Sequence, residues 1–181
     1  ALDYAHEQGV IHRDVKPANI MVDKEAGRAY LTDFGIAKLK QETATELTGS
    51  GMIGTPAYMA PEQVEGKKDE ISPHTDVYAL GVMLYEMTTG RLPFAADTPI
   101  VLALKHVNES PPSPRVVNPA LSEEVEQVLL KALAKAPADR YASAGALIVA
   151  FAGAAQPEAP GETIAAPPVR LEDLATAVAE C

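Results

Sequence analysis

The sequence predicts a mostly α-helical fold carrying one short β-hairpin, and three observations predict it. Residues 74–89 are apolar nearly all round (Val77, Leu80, Val82, Met83, Leu84, Met87), the pattern of a helix buried on every side. Val125, Val128, Leu129, Ala132 and Leu133 recur at helical spacing behind Ser122. Only Ile20-Met21-Val22 and Ala29-Tyr30-Leu31-Thr32, joined by the polar stretch 23–28, read as strands.

In chain order, Ala1-Leu2-Asp3-Tyr4-Ala5-His6 reads as the end of a helix, and the two strands follow. Ser72-Pro73 opens the central helix, with Ser as cap and Pro in the first turn, and Gly90 ends it. Thr98-Pro99 opens a further helix to about residue 107. Ser122, with Glu123 and Glu124 complementing the positive helix end, opens another. Residues 143–152 close the domain at 152. From 153 to 170 Pro, Ala, Gly and Glu compose an unstructured linker. At 171–181, Leu171, Leu174, Ala175 and Val178 hint at an amphipathic helix too short to stand alone. The uncharged stretch 141–157 is short, rich in Ala and Gly and closed by Gln156-Pro157, so a buried terminal helix is expected rather than a membrane span.

The 181 residues suffice for one domain with a core. A formal charge of -10 argues against nucleic acid, which demands basic patches, and weakly favours basic substrates. Cys181 is the only cysteine, so no internal disulfide forms and a reducing, cytoplasmic setting is expected.

Three separated motifs carry the chemistry. His12-Arg13-Asp14-Val15-Lys16-Pro17-Ala18-Asn19 fits H-R-D-L-x-x-x-N except for Val15 in place of Leu. Asp33-Phe34-Gly35 and Ala60-Pro61-Glu62 follow in order. By these residues the chain resembles the eukaryotic-type protein kinase family. Lys16-Pro17 and Gly54-Thr55-Pro56-Ala57-Tyr58 resemble its serine/threonine branch. Asp139-Arg140-Tyr141-Ala142-Ser143 and the phrasing of the segment between the last two motifs resemble bacterial members. The resemblance covers about residues 1–153 and implies a protein-kinase-like C-lobe, with the hairpin at the catalytic and D-F-G loops. Only eleven residues precede His12. The sequence is therefore expected to be a fragment that starts mid-helix, with the N-lobe absent and the piece alone inactive. Gly49-Ser50-Gly51-Met52-Ile53-Gly54 matches G-x-G-x-x-G by letter, but no strand pattern precedes it and no V-A-I-K lysine follows.

The resemblance implies transfer of the ATP γ-phosphate to Ser or Thr hydroxyls of protein substrates, with ATP and Mg²⁺ as cofactors. Asp14 would take the hydroxyl proton, and Lys16 would set its ammonium on the γ-phosphate. Asn19 and Asp33 would ligate Mg²⁺ through hard oxygens. Met21 would form the apolar floor under the adenine, with Met83 and Met87 below it as core filling. Thr55 would bridge Asp14 and Lys16. His12 and Phe34 read as packing residues, and Asp76 as the carboxylate that holds the catalytic-loop backbone.

Arg13 before Asp14 implies control by phosphorylation of the activation segment, with Thr43, Thr45, Thr48 and Ser50 as acceptors. Glu62 and Arg140 are expected to form a buried ion pair among Met59, Ala60, Pro61, Ala138 and Tyr141. Other readings are a pseudokinase or scaffold, and a small-molecule phosphotransferase, which lacks the long activation segment and Ala60-Pro61-Glu62. The N-lobe is the implied partner, and any membrane attachment would run through regions outside this sequence.

Overall fold

A computed structural model describes residues 1–33 and 56–156. Their helices are α1 (Leu2–Glu7), α2 (Pro61–Val64), α3 (Pro73–Thr89), α4 (Pro99–Asn108), α5 (Pro114–Val117), α6 (Glu123–Ala132) and α7 (Ala144–Ala154). A two-stranded antiparallel hairpin, β1 (Ile20–Asp23) and β2 (Arg28–Leu31), pairs Ile20 with Leu31 and Asp23 with Arg28. Asp23 Oδ1 closes its turn by accepting from the N–H groups of Glu25 and Ala26, both at 3.0 Å.

α3 is the axis of the fold, as its all-round apolar sequence predicts. Val77, Tyr78, Val82, Leu84 and Tyr85 are buried in one cluster with Val125, Leu129 and Ala132 of α6 and Leu147 of α7. α3 and α6 come so close that a Cβ on Gly81 would lie 2.8 Å from Ala132 Cβ, so only glycine fits that crossing. Gly90, at φ +71, ends α3 in the left-handed conformation and donates its N–H to the Glu86 carbonyl at 2.8 Å. Ser122 caps α6 as expected, and Thr98 and Ser143 likewise accept from the backbone N–H three residues on, whereas the Ser72 hydroxyl expected to cap α3 makes no such cap bond and lies 3.2 Å from His74 Nδ1.

Three expectations need correction. Met83 is buried against Val15 and Ala79, but Met87, one turn further, is 75% exposed, since no described element covers that side of the last α3 turn. α7 is not buried all round. Ala144 and Leu147 point inward, while Val149 on the opposite side is 74% exposed, because the core covers a single stripe of this uniformly apolar helix. α7 also runs past 152 to Ala154, taking in Gly153, and stops before Pro157, which restricts the residue ahead of it. The segments 157–170 and 171–181 lie outside the described residues. Within the described residues no helix is long and apolar enough to cross a membrane.

Candidate active site

The loop between α1 and β1 is built around one buried carboxylate. Asp76 of α3 accepts the backbone N–H of His12 through Oδ2 and that of Arg13 through Oδ1, both at 2.8 Å. His6 Nε2 lies 2.8 Å from the same Oδ2. Three donors converging on it make a carboxylate tolerable at 1% exposure. The grip has a purpose, because Arg13 sits at φ +65, a left-handed conformation costing a non-glycine residue about 1–3 kcal/mol.

His12 joins this loop to the end of β2. Its Nε2 lies 3.0 Å from the Thr32 carbonyl, which can only accept, so Nε2 carries the proton. Nδ1 is then free to accept from the Asp14 N–H at 3.3 Å. The ring is fully buried and acts as the structural pin that the sequence suggests.

Pro17 starts a single 3₁₀ turn, Pro17–Asn19, that brings Asn19 back onto Asp14. Asn19 Nδ2 donates to the Asp14 carbonyl at 2.8 Å and to Asp14 Oδ2 at 3.1 Å, and neither bond uses its side-chain oxygen. Lys16 Nζ lies 2.8 Å from the same Asp14 Oδ2. Thr32 then ties the second motif to the first: its N–H donates to the Asn19 carbonyl at 2.9 Å and its hydroxyl to the same oxygen at 3.2 Å. Asp33, the next residue, is exposed and left-handed at φ +55. Lys16 and Asn19 thus meet Asp14 through their side chains, and Asp33 follows Thr32, whose backbone N–H is bonded to the Asn19 carbonyl. Met21 lies two residues past Asn19 on β1 and is 63% exposed, next to Val22 at 63%. Thr55, Phe34 and the acceptors Thr43, Thr45, Thr48 and Ser50 lie outside the described residues.

Asn19 Oδ1 and the Asp33 carboxylate are hard oxygen donors on adjoining backbone, a set suited to Mg²⁺, which binds through few protein ligands plus substrate phosphates. Among the described residues no cluster of three or more His, Cys, Asp or Glu forms a complete protein cage.

Behind the loop, Glu62 and Arg140 form the expected pair. Arg140 Nη1 donates to Glu62 Oε1 at 2.8 Å and Nη2 to Oε2 at 2.9 Å, with both side chains buried. The other three N–H groups of the guanidinium reach the carbonyls of His74, Ala134 and Lys135. The Tyr78 ring covers it at 4.8 Å, and Thr75 Oγ1 donates to Glu62 Oε1 at 2.8 Å. Tyr78 and Thr75 of α3 and three carbonyl oxygens thus surround the pair, with Ala60 and Tyr141 in the same apolar cluster as Tyr78. Burial pushes the Glu62 carboxyl up, but hydrogen bonds and charge from Arg140, with Thr75, outweigh it and leave the group below the usual range.

The sequence profile of the protein kinase domain family matches residues 1–151. The chain belongs to the protein kinase family. This kinase chain is 42% identical over 164 residues to the serine/threonine-protein kinase PknB of Mycobacterium tuberculosis, covering 88% of this chain and 26% of PknB. It is 46% identical over 154 residues to the serine/threonine-protein kinase pkn3 of Myxococcus xanthus, covering 81% and 28%. A probable serine/threonine-protein kinase of Streptomyces coelicolor is 41% identical, with 80% of this chain and 21% of that protein covered. The chain thus spans about a quarter of the length of these relatives. Among solved structures, the Mycobacterium tuberculosis PknI kinase domain superposes with a TM-score of 0.62 at 32% identity, covering 86% of this chain and 50% of PknI. Rad53 in complex with AMP-PNP gives 0.62 at 27%, covering 83% and 37%.

Sequence reasoning missed two contributors. His6, at the end of α1, shares Asp76 with the catalytic loop. Gln63 donates Nε2–H to the Arg13 carbonyl at 2.8 Å across fifty residues. Neither lies on a motif position that announces a role.

Proposed function

We propose that the protein carrying this chain is an ATP-dependent protein serine/threonine kinase and that residues 12–33 hold its catalytic apparatus. The observation that carries this reading is the closed network in which Asp14, Lys16 and Asn19 meet at one carboxylate oxygen while Thr32 ties Asp33 to Asn19. Asp14 accepts the proton of the Ser or Thr hydroxyl as that oxygen bonds the γ-phosphorus. The bond from the γ-phosphorus to the β,γ-bridging oxygen breaks, and ADP leaves with its electron pair. Lys16, 2.8 Å from the base, stands where its ammonium can follow the transferring phosphoryl group as a point charge. Asn19 Oδ1 and Asp33 would hold Mg²⁺, which supplies neutralisation of phosphate charge when bound. The exposed apolar surface of Met21 and Val22 supports a seat for the adenine. Arg13 pairs with a phosphorylated activation-segment residue by the same reading. The domain works in the cytoplasm, an assignment supported by its lone cysteine.

The test is incubation of the full-length protein with γ-labelled ATP, Mg²⁺ and a generic protein substrate, followed by phosphoamino-acid analysis. Label on serine and threonine that vanishes on Mg²⁺ chelation is expected. Label confined to tyrosine, or transfer that survives chelation, would overturn the reading.

A further inference from the structure

The peptide joining Arg13 to Asp14 is held at both of its polar ends. Its N–H, on Asp14, donates to His12 Nδ1, while its carbonyl, on Arg13, accepts Gln63 Nε2–H at 2.8 Å. The Gln63 amide is itself oriented, since its Oε1 accepts the Ala60 N–H at 3.1 Å. Its neighbour Glu62 accepts from Thr75, and Thr75 precedes Asp76, which takes the Arg13 N–H. A ring therefore closes from Arg13 through Asp76, Thr75, Glu62 and Gln63 back to Arg13. It encloses the left-handed residue directly before the base.

We infer that Gln63 is a positioning residue for Asp14. It fixes the plane of the Arg13–Asp14 peptide and so couples the direction of the Asp14 side chain to the seat of α2. This rests on the kinase reading above. Arg13 at φ +65 is held away from the ordinary backbone regions. With the Gln63 grip gone, the carbonyl end of the peptide is released while the longer 3.3 Å bond from the Asp14 N–H to His12 Nδ1 remains, so the plane can tilt about that end and shift the Asp14 carboxylate relative to Asn19 and Lys16. Asp76 alone does not prevent this, because it holds the N–H groups of His12 and Arg13 and not the following carbonyl. Coupling through α2 also gives the stretch leading into Ala60-Pro61-Glu62 a mechanical route to the base.

The deciding variants are Gln63→Glu and Gln63→Met in the full-length protein. Glu keeps the acceptor for the Ala60 N–H and loses the donor to Arg13; Met loses both without adding charge. A role limited to capping α2 spares Glu, whereas a positioning role does not. We expect kcat to fall about tenfold in both, with KM for ATP unchanged, since small misplacements of a catalytic group are costly in rate. Hydrogen exchange over residues 12–14 should accelerate in both, with the melting temperature held within a few degrees. Wild-type kcat in a folded Gln63→Glu would overturn the inference and leave the kinase reading intact. An inactive wild type would overturn that reading instead, and exchange then decides: unchanged protection of residues 12–14 rejects the role of Gln63, faster exchange sustains it. Should Gln63→Glu fail to fold, Gln63→Met decides by the same measurements.

Discussion

His106 shows what burial does to a single side chain here. It lies fully buried on α4, with Tyr78 Oη 2.9 Å from Nδ1 and the Phe94 ring edge-on at 4.9 Å. Nε2 is buried toward the Ala57 backbone without closing a hydrogen bond of good geometry. Burial, and then the Lys135 ammonium, pull its pKa from 6.5 down to about 4. The unfolded chain binds the proton from pH 6.5 downward and the folded one resists until about 4, so stability falls with pH across that window. The loss approaches about 3 kcal/mol. Thermal unfolding from pH 7 to 4.5 should show this slope in the wild type and lose most of it in His106→Phe; an unchanged slope in the variant would reject the assignment. At the same scale, Asp14, Asn19 and Asp33 stood out because they occupy motif positions, and the grip of Asp76 on the backbone of residues 12 and 13 was legible from the family resemblance. Gln63 and His6 were not, since their partners are set only by how α2 and α1 come to lie against α3.

The link from α2 to the turn before α7 is the joint on which these helices depend. All five N–H groups of Arg140 are engaged, two of them by Glu62. Arg140→Ala leaves a buried carboxylate without its partner and should cost about 3–5 kcal/mol. Arg140→Lys should recover little, since an ammonium cannot match the planar fork. Chemical denaturation of both variants checks this, and an unchanged midpoint for Arg140→Ala would contradict it. The Glu62 carboxyl is depressed, so the pair contributes fully above about pH 4.5 and is lost as pH falls through the lower folded value. Elements were readable where a cap and a periodic run coincide, as at Ser122 and Thr98. The four-residue helices α2 and α5 were not, being barely one helical turn and too short for a periodic pattern to repeat. The uniform apolarity of α7 likewise hides which stripe the core covers, as Leu147 and Val149 show.

Across the whole molecule, α3 is the frame: its first turns hold the catalytic loop through Asp76, and its middle carries the helical core. Family membership was more legible than shape because the motifs constrain residue identity at fixed spacing, while exposure at Met87 or Val149 depends on what covers each face. In the proposed reading Asp14 is the base, held by Asn19 and Lys16 and braced from behind by His12. Asp14→Asn keeps the size and most hydrogen bonds of that side chain while removing its capacity to take a proton. The most direct measurement is transfer of label from ATP to protein by purified full-length wild type and Asp14→Asn, with circular dichroism confirming equal folding. We expect robust transfer by the wild type and loss of at least about a hundredfold in the variant. Undiminished transfer by a folded Asp14→Asn would contradict the assignment of the base.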